Sequence, residues 1–407
     1  MHEIDEKEKD RKAREAKEKK AAYGEDIDLD TYCITGECHE PLDTLEQLPE
    51  EDKAIMLKAG VDATEQDRSG SYVQKDISAV YATSLMDGLE VLPIKEALKI
   101  GWINEYYWKL VPVDQDKFTS RAYTDLHNGY VIRSLPGAKV NFPVQACLYL
   151  HQDALSQNVH NIIIAEEDSE LHVITGCVSG THVVKGLHVG ISEFYVKKNA
   201  KLSFTMIHHW AQGMVVRPRS VGVVEEGGLF LNNYVSMKPV KSLQMYPATR
   251  LAGRGAVARF YSLLVGHPGS KLDVGGRILL NAPETRAEII ARAISNGGTI
   301  ISRGHLAGDV PGVKAHLECR GLILNGGDIL AIPELHGKVD GVDMSHEAAV
   351  GKINQDEILY LMSRGLSEDE ATATIVRGFM SVDIPGLPPD LKSQIDAAVA
   401  QTNQEVL

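Results

Sequence analysis

Long apolar runs are missing from this 407-residue chain. None approaches the roughly 18 to 20 residues that cross a bilayer, and the first residues are charged rather than basic and then apolar. Neither a membrane span nor a secretory leader is expected. Positive charge is also short, with 42 Lys and Arg against 56 Asp and Glu and a formal net charge of −14. That balance argues against nucleic acid as a partner, because phosphate binding draws on clustered cations. Cysteine is scarce: Cys33, Cys38, Cys147, Cys177 and Cys319 make five. An odd, widely scattered set argues against a disulfide framework and fits a reducing compartment, so a cytoplasmic location is expected. No Cys-x-x-Cys pair of a zinc ribbon or ferredoxin occurs. Cys33 and Cys38, with His39 adjacent in "YCITGECHE", leave a small metal knuckle open, although no second half is visible. Phosphate-binding loops are absent, since "GGRILLN" and "NGGDIL" lack the strand-Gly-helix context. So are a Gly-x-Ser-x-Gly elbow and a Ser-His-Asp grouping.

What is present divides the chain into four regions. Residues 1–22 mix both charge signs without an apolar stripe and have nothing to bury, so a solvated, flexible arm is expected. Residues 23–127 read as mainly helical, with apolar residues three and four apart in "LEQLPEEDKAIMLKAGV" and "LPIKEALKIGWINEYYWKL". From 128 to 345 the period changes to short segments rich in Val, Ile, Phe and Tyr, bounded by Gly, Asn or Asp. Roughly 200 residues without an amphipathic helix exclude a doubly wound α/β fold. Their length favours stacked coils over a single sandwich, which needs about 100 residues. Residues 346–407 return to a helical period. Gly365 stands at a helix C′ position, Ser367 and Glu370 form a capping box, and Ala371, Ile375 and Phe379 form a stripe. Pro385, Pro388 and Pro389 precede a last amphipathic helix from about Asp390 with Leu391, Ile395 and Val399. Helices this small need something to dock on, so a surface for another protein is expected here.

The residues that could carry chemistry gather late in the chain. In "VKAHLECRGLILNGG", strand alternation puts His316 and Glu318 on one face and Leu317 and Cys319 on the other. Cys319 is then either a soft thiolate ligand, completed by His346 or Glu347 from the following connection, or a small buried hydrophobe. His346 and Glu347 read equally as a turn residue and a helix start. In "IHHW", His208 and His209 point to opposite faces and would not share an ion. Cys177, between glycines with His172 and His182 nearby, is a reactive thiol at a turn or a structural cysteine. Paired carboxylates of a β-helix carbohydrate enzyme would have to be Glu225 with Glu226, or Asp340 with Asp343, and no aromatic stripe accompanies them.

"AIPELHGKVDGVDMSHEAAVGKINQDEILYLMSRGLSEDEATATIVRGF" closely resembles the SufB and SufD family of iron–sulfur cluster assembly scaffolds, above all in "SHEAAVGKI", "ILYLMSRGLSEDEA" and "AIPEL". The likeness covers about residues 130 to 380, and the compact N-terminal region resembles the short archaeal type. It implies a right-handed parallel β-helix flanked by N-terminal and C-terminal helical regions. It further implies a scaffold rather than an enzyme, with ATP hydrolysis in a SufC-like ABC ATPase docked on the C-terminal helices, as in a SufBCD complex. Cys319, His346 and Glu347 match the positions implicated in holding a nascent iron–sulfur cluster, 4Fe–4S or 2Fe–2S. A homodimer through the β-helix is implied, with apo iron–sulfur proteins as acceptors. Ser345 stands where a further acidic residue can occur. The family's sulfur-accepting cysteine corresponds to Cys177, or failing that Cys147. SufD-type chains carry His where this one has Cys319, so the SufB-like branch is implied, with a SufD-like structural partner of the ATPase as the alternative.

Overall fold

The computed structural model describes residues 2–380. Ten-residue stretches such as "RAEIIARAIS" and "KAHLECRGLI" alternate buried and more exposed side chains. They form a parallel β-helix of about eight turns, with helices at both ends. Two sheets make its walls, one of ten strands and one of eleven. In the late coils the register runs without a slip: Arg286 pairs with Lys314 and Lys314 with Asp343, so one coil takes about 29 residues. Inward-facing side chains fill the lumen, including the ring ladder of Phe204, Phe194, Phe230 and Phe260, with successive centroids 4.8, 5.0 and 6.0 Å apart. One corner is a column of left-handed residues, Asp168, Asn199, Gly227, Gly255, Glu284, Gly312 and Gly341, one per coil. Asn and Asp tolerate that conformation and Gly adopts it freely. Backbone hydrogen bonds join neighbouring coils along it, as from Asn199 N–H to the Glu226 carbonyl and from Gly312 N–H to the Gly341 carbonyl.

An apolar stripe also runs along the outside of the ten-stranded sheet, through Ile174, Val178, Val235, Leu263, Ile294 and Leu322. The helix Glu50–Lys58 covers one end of it and the helix Glu368–Met380 the other, through Val376 and Met380. Burying this stripe gives two short helices a reason to form.

The N-terminal region departs from the helical reading. "LPIKEALKIGWINEYYWKL" holds only the helix Ile94–Ala97 and the 3-10 turn Gly101–Glu105. Strands Gly70–Lys75, Ser78–Ser84 and Leu89–Pro93 join the two sheets, so β structure starts well before residue 128. Trp108 takes a left-handed φ of 52°, which ends any helix there. The segment is fastened instead by Glu193, a carboxylate buried in the Gly186–Val196 strand. It accepts hydrogen bonds from the backbone N–H groups of Trp108 (2.8 Å), Leu110 and Val111 (3.0 Å), and pairs with His160 Nε2 (2.9 Å). The expected charged arm differs as well. Residues His2–Glu15 form a helix that buries Ala13, whose carbonyl accepts from Ser120 Oγ at 2.7 Å. Two small residues, Ala13 and Ala16, supply the contact face that a search for large apolar residues passes over.

At the C-terminal end, the strand Asp343–Lys352 closes the ten-stranded sheet, so residue 346 lies inside the β-helix and not at the start of the helices. Helix Gln355–Ser363 follows after Ile353 and Asn354, and Gly365 has the φ of +100° expected of its C′ residue. The capping box is formed: Ser367 N–H and Oγ both donate to Glu370 Oε2 (2.8 and 2.9 Å). The proline cluster and the helix expected from Asp390 lie outside the described residues.

Candidate functional site

Three strands in successive coils carry the candidate residues: Arg286–Ser295, Lys314–Ile323 and Asp343–Lys352. Their register stacks Ala291, Cys319 and Ala348 in one row, and Ile289, Leu317 and His346 in another. Leu317 and Cys319 point into the lumen, and parallel register puts His346 on that same inner face. Cys319 is 2 % exposed. His346 is exposed, because among the described residues no further strand covers Asp343–Lys352. Cys319 and His346 stand one strand and two positions apart, a Cβ separation of roughly 8 Å from standard strand geometry.

Glu347 goes the other way. It pairs in register with Glu318 on the outer face. There Arg320 reaches Glu318 at 2.7 Å and Glu347 at 3.5 Å, and Arg292 joins Glu318 at 2.7 Å. His316 Nδ1 lies on the same outer face, 2.8 Å from Ser345 Oγ. A single chain therefore unites Cys319 with His346 on one face and leaves Glu347 on the other. Among the described residues, no three His, Cys, Asp or Glu side chains already converge as a metal site. Burial raises the Cys319 thiol above its ordinary pKa, and the Ser302 hydroxyl, donating to Sγ at 3.8 Å, partly offsets this. At neutral pH the thiol is held as S–H, and ligation requires it to be uncovered or its proton removed.

The two remaining candidate thiols separate by face. Cys147 points outward into the apolar stripe beneath helix Glu50–Lys58. Cys177 points into the lumen and belongs to the same core cluster as Cys319. Both thiols are pushed upward in pKa by burial. Cys177 pairs in register with His208, whose Nδ1 lies 2.7 Å from the Tyr234 hydroxyl. His208 Nε2 and Trp210 Nε1 are buried with no hydrogen-bond partner. Tyr234 in turn lines a lumen cavity of about 30 Å³, bounded further along by Ala291 and Ser302. Cys177, His208 and Tyr234 are thus neighbours in the lumen, and the cavity that Tyr234 lines is also lined by Ser302, the residue beside Cys319. Tyr234 and Ser302 carry no sequence motif. Only the coiled fold brings them near the cysteines: Ser302 faces Cys319 across the lumen from the other sheet, 17 positions away, and Tyr234 lies two coils on from Cys177. His209, on the outer face as alternation requires, is lowered to about 4 by burial and by Lys238 and Lys58.

No helix among the described residues is long and apolar enough to cross a membrane. Residues 148–379 match the family model described as SUF system FeS cluster assembly, SufBD core domain. The chain is 51 % identical over 358 residues to an iron-sulfur cluster assembly SufBD family protein of Archaeoglobus fulgidus, covering 88 % of this chain and 96 % of the relative. A protein of the same description from Methanothermobacter thermautotrophicus is 46 % identical over 393 residues, 94 % of this chain and 96 % of the relative. The iron-sulfur cluster assembly protein SufB of Bacillus subtilis is 29 % identical over 366 residues, 87 % of this chain and 78 % of the relative.

Proposed function

Because the chain belongs to the SufBD family of iron–sulfur cluster assembly proteins, we propose that it is the SufB-like scaffold on which a nascent cluster is built and from which it is passed to apo acceptor proteins. One observation carries this reading: Cys319 and His346 share the inner face of the last two coils of the ten-stranded sheet, next to an end of the solenoid that no further strand covers among the described residues. A thiolate binds iron firmly and an imidazole more exchangeably, which suits a site that must release its cargo. The cargo is a [4Fe–4S] or [2Fe–2S] cluster.

The open end supports a homodimer. Among the described residues its edge strands Asp328–Gly337 and Asp343–Lys352 each pair on one side only. Leu330, Leu335, Val339 and Val350 are exposed there, and edges of this kind are templates for another chain. A second copy would supply a second set of Cys319, His346 and Glu347, with Glu347 released from Arg320. In this reading Cys177 is the sulfur acceptor, because it shares the lumen with Cys319 and Cys147 does not.

The chain is a scaffold and not an enzyme in this reading, and a SufC-like ABC ATPase supplies the work. Leu359, Tyr360 and Met362 are exposed on the helix Gln355–Ser363, offering that partner an apolar face. Only Ile353 and Asn354 separate this helix from the Asp343–Lys352 strand, so a displacement of the helix is passed directly to the strand bearing His346. Anaerobic reconstitution with iron and sulfide tests the reading. Wild-type chain should hold a cluster by absorption, iron and acid-labile sulfide analysis, and Cys319→Ser should hold little. A full cluster on Cys319→Ser removes Cys319 from the site. A wild-type chain that binds the ATPase but no cluster is a SufD-like structural partner instead.

A further inference from the structure

Several coils away from Cys319, the loop 33–39 is laid against the solenoid by a set of hydrogen bonds. Cys33 N–H donates to the Ala154 carbonyl (2.9 Å), and Ser156 N–H donates to that of Cys33 (2.7 Å). Glu37 N–H donates to Gln152 Oε1 (2.8 Å), and His39 N–H to Ser78 Oγ (3.0 Å). The result carries His39 to the corner where His151 and His182 leave successive coils. The His39 and His151 ring centroids are 6.4 Å apart, and those of His151 and His182 are 4.5 Å apart.

Two further features give this cluster the character of a ligand set. A Cβ built on Gly180 would stand 3.2 Å from His182 Nδ1 and 3.4 Å from His151 Nδ1, so two imidazole nitrogens converge over a residue with no side chain. His39 Nε2 pairs at 2.8 Å with Oδ2 of Asp76, a fully buried carboxylate. The other Asp76 oxygen accepts the N–H groups of His151 and Gln152 (2.7 and 2.9 Å), which fixes it. A carboxylate on one ring nitrogen orients the imidazole and leaves Nδ1 as a free lone pair, the arrangement that supports metal-binding histidines. Two imidazoles on one tetrahedral ion, bonded at about 2.0–2.1 Å, place their centroids about 5 Å apart, and the two measured separations straddle that figure. Among the described residues no three such groups are placed as a metal site as they stand, so with His39 held by Asp76 the set closes only if the exposed His182 and the neighbouring His151 move toward it.

We infer that His39, His151 and His182 bind a single divalent transition-metal ion, Zn²⁺ or Fe²⁺, with Asp76 as the positioning carboxylate. The site is separate from the proposed cluster site and does not depend on it. The test uses the full chain carrying Cys319→Ser, titrated anaerobically with Co²⁺ as the probe and followed by visible ligand-field absorption and by dialysis with metal analysis. A single saturable equivalent with tetrahedral-type intensity is expected. His39→Asn and His182→Asn should each weaken it at least roughly tenfold, with the far-ultraviolet circular dichroism unchanged. Displacement of Co²⁺ by Zn²⁺ or by Fe²⁺ then identifies the ion, and either upholds the site. Absence of saturable Co²⁺ binding, or an affinity unchanged in the His151→Asn/His182→Asn double variant, overturns it.

Discussion

Glu193→Gln changes one oxygen for an NH₂ group and almost nothing else in volume. Each carboxylate oxygen now receives two partners: Oε1 those of Leu110 and Val111, Oε2 those of Trp108 and His160. If the amide nitrogen takes the first position, the part-buried Leu110 N–H and the buried Val111 N–H lose their acceptor. If it takes the second, Trp108 N–H loses its acceptor. His160 can then answer only by moving its proton to Nδ1, which is buried and has no partner. Each stranded group costs about 1–3 kcal/mol, so either orientation, stranding two, amounts to roughly 2–6 kcal/mol. The penalty falls on the segment 108–111, which should open locally before the solenoid melts. Amide hydrogen exchange should therefore speed up by roughly 30-fold or more at Trp108, Leu110 and Val111, since 1.4 kcal/mol is tenfold. Trp108 emission should shift to the red as the ring leaves its place 4.6 Å from the His160 ring. A change of less than about threefold in exchange at these amides refutes the view that Glu193 fastens this segment.

Gly176→Ala would place a Cβ 2.7 Å from the Ala59 carbonyl oxygen and 2.9 Å from Val61 Cγ2, and should cost about 1–3 kcal/mol, measured by urea denaturation. Ser367→Ala removes the cap of the helix Glu368–Met380 and should cost roughly 0.5–2 kcal/mol of local stability, seen as faster exchange at Ala371. Leu330→Asp with Val350→Asp should give a monomer by light scattering and lose the reconstituted cluster; a dimer with cluster intact would place the interface elsewhere. Burial lowers His188 to about 3, and burial with Lys238 and Lys58 lowers His209 to about 4. Both are neutral in the fold, so they cost nothing above pH 6.5, where the unfolded imidazoles are neutral too. Below it the unfolded chain takes up protons that the fold refuses. Unfolding free energy should drop by about 1.4 kcal/mol per pH unit for each until pH nears 4 and 3, and His209→Gln should flatten that limb in denaturant titrations across pH.

The coiled β architecture was legible because its signal is local: ten-residue alternation, turn residues, and the missing amphipathic helices. Strand alternation likewise separates Cys319 from His316 and Glu318, as the fold shows. The meaning of the gap between Cys319 and the His-Glu pair was not legible. It is close to one coil, which makes the two segments neighbouring strands, and a strand must send His346 and Glu347 to opposite faces. Taking the pair as a connection hid that split. The Glu193 network and the polar groups of the lumen were hidden for a different reason. Glu193 meets Trp108 across 85 positions, and nothing in either neighbourhood announces the other. In the N-terminal region, the aromatic residues around Trp102 to Trp108 mimic a helical period while their contacts go sideways, Tyr106 to Tyr195 and Trp108 to His160.

A stack of coils has no closed surface, and each coil is held only by the ones beside it. Among the described residues the strand bearing His346 has a neighbour strand on one side alone, so it has about half the strand pairing of an interior strand. The last coil is therefore expected to open more readily than an interior one. The proposed seat of the cluster is then also the seam that parts most easily, and a second copy or a cluster bound there would add the neighbour that the described residues do not supply to this strand.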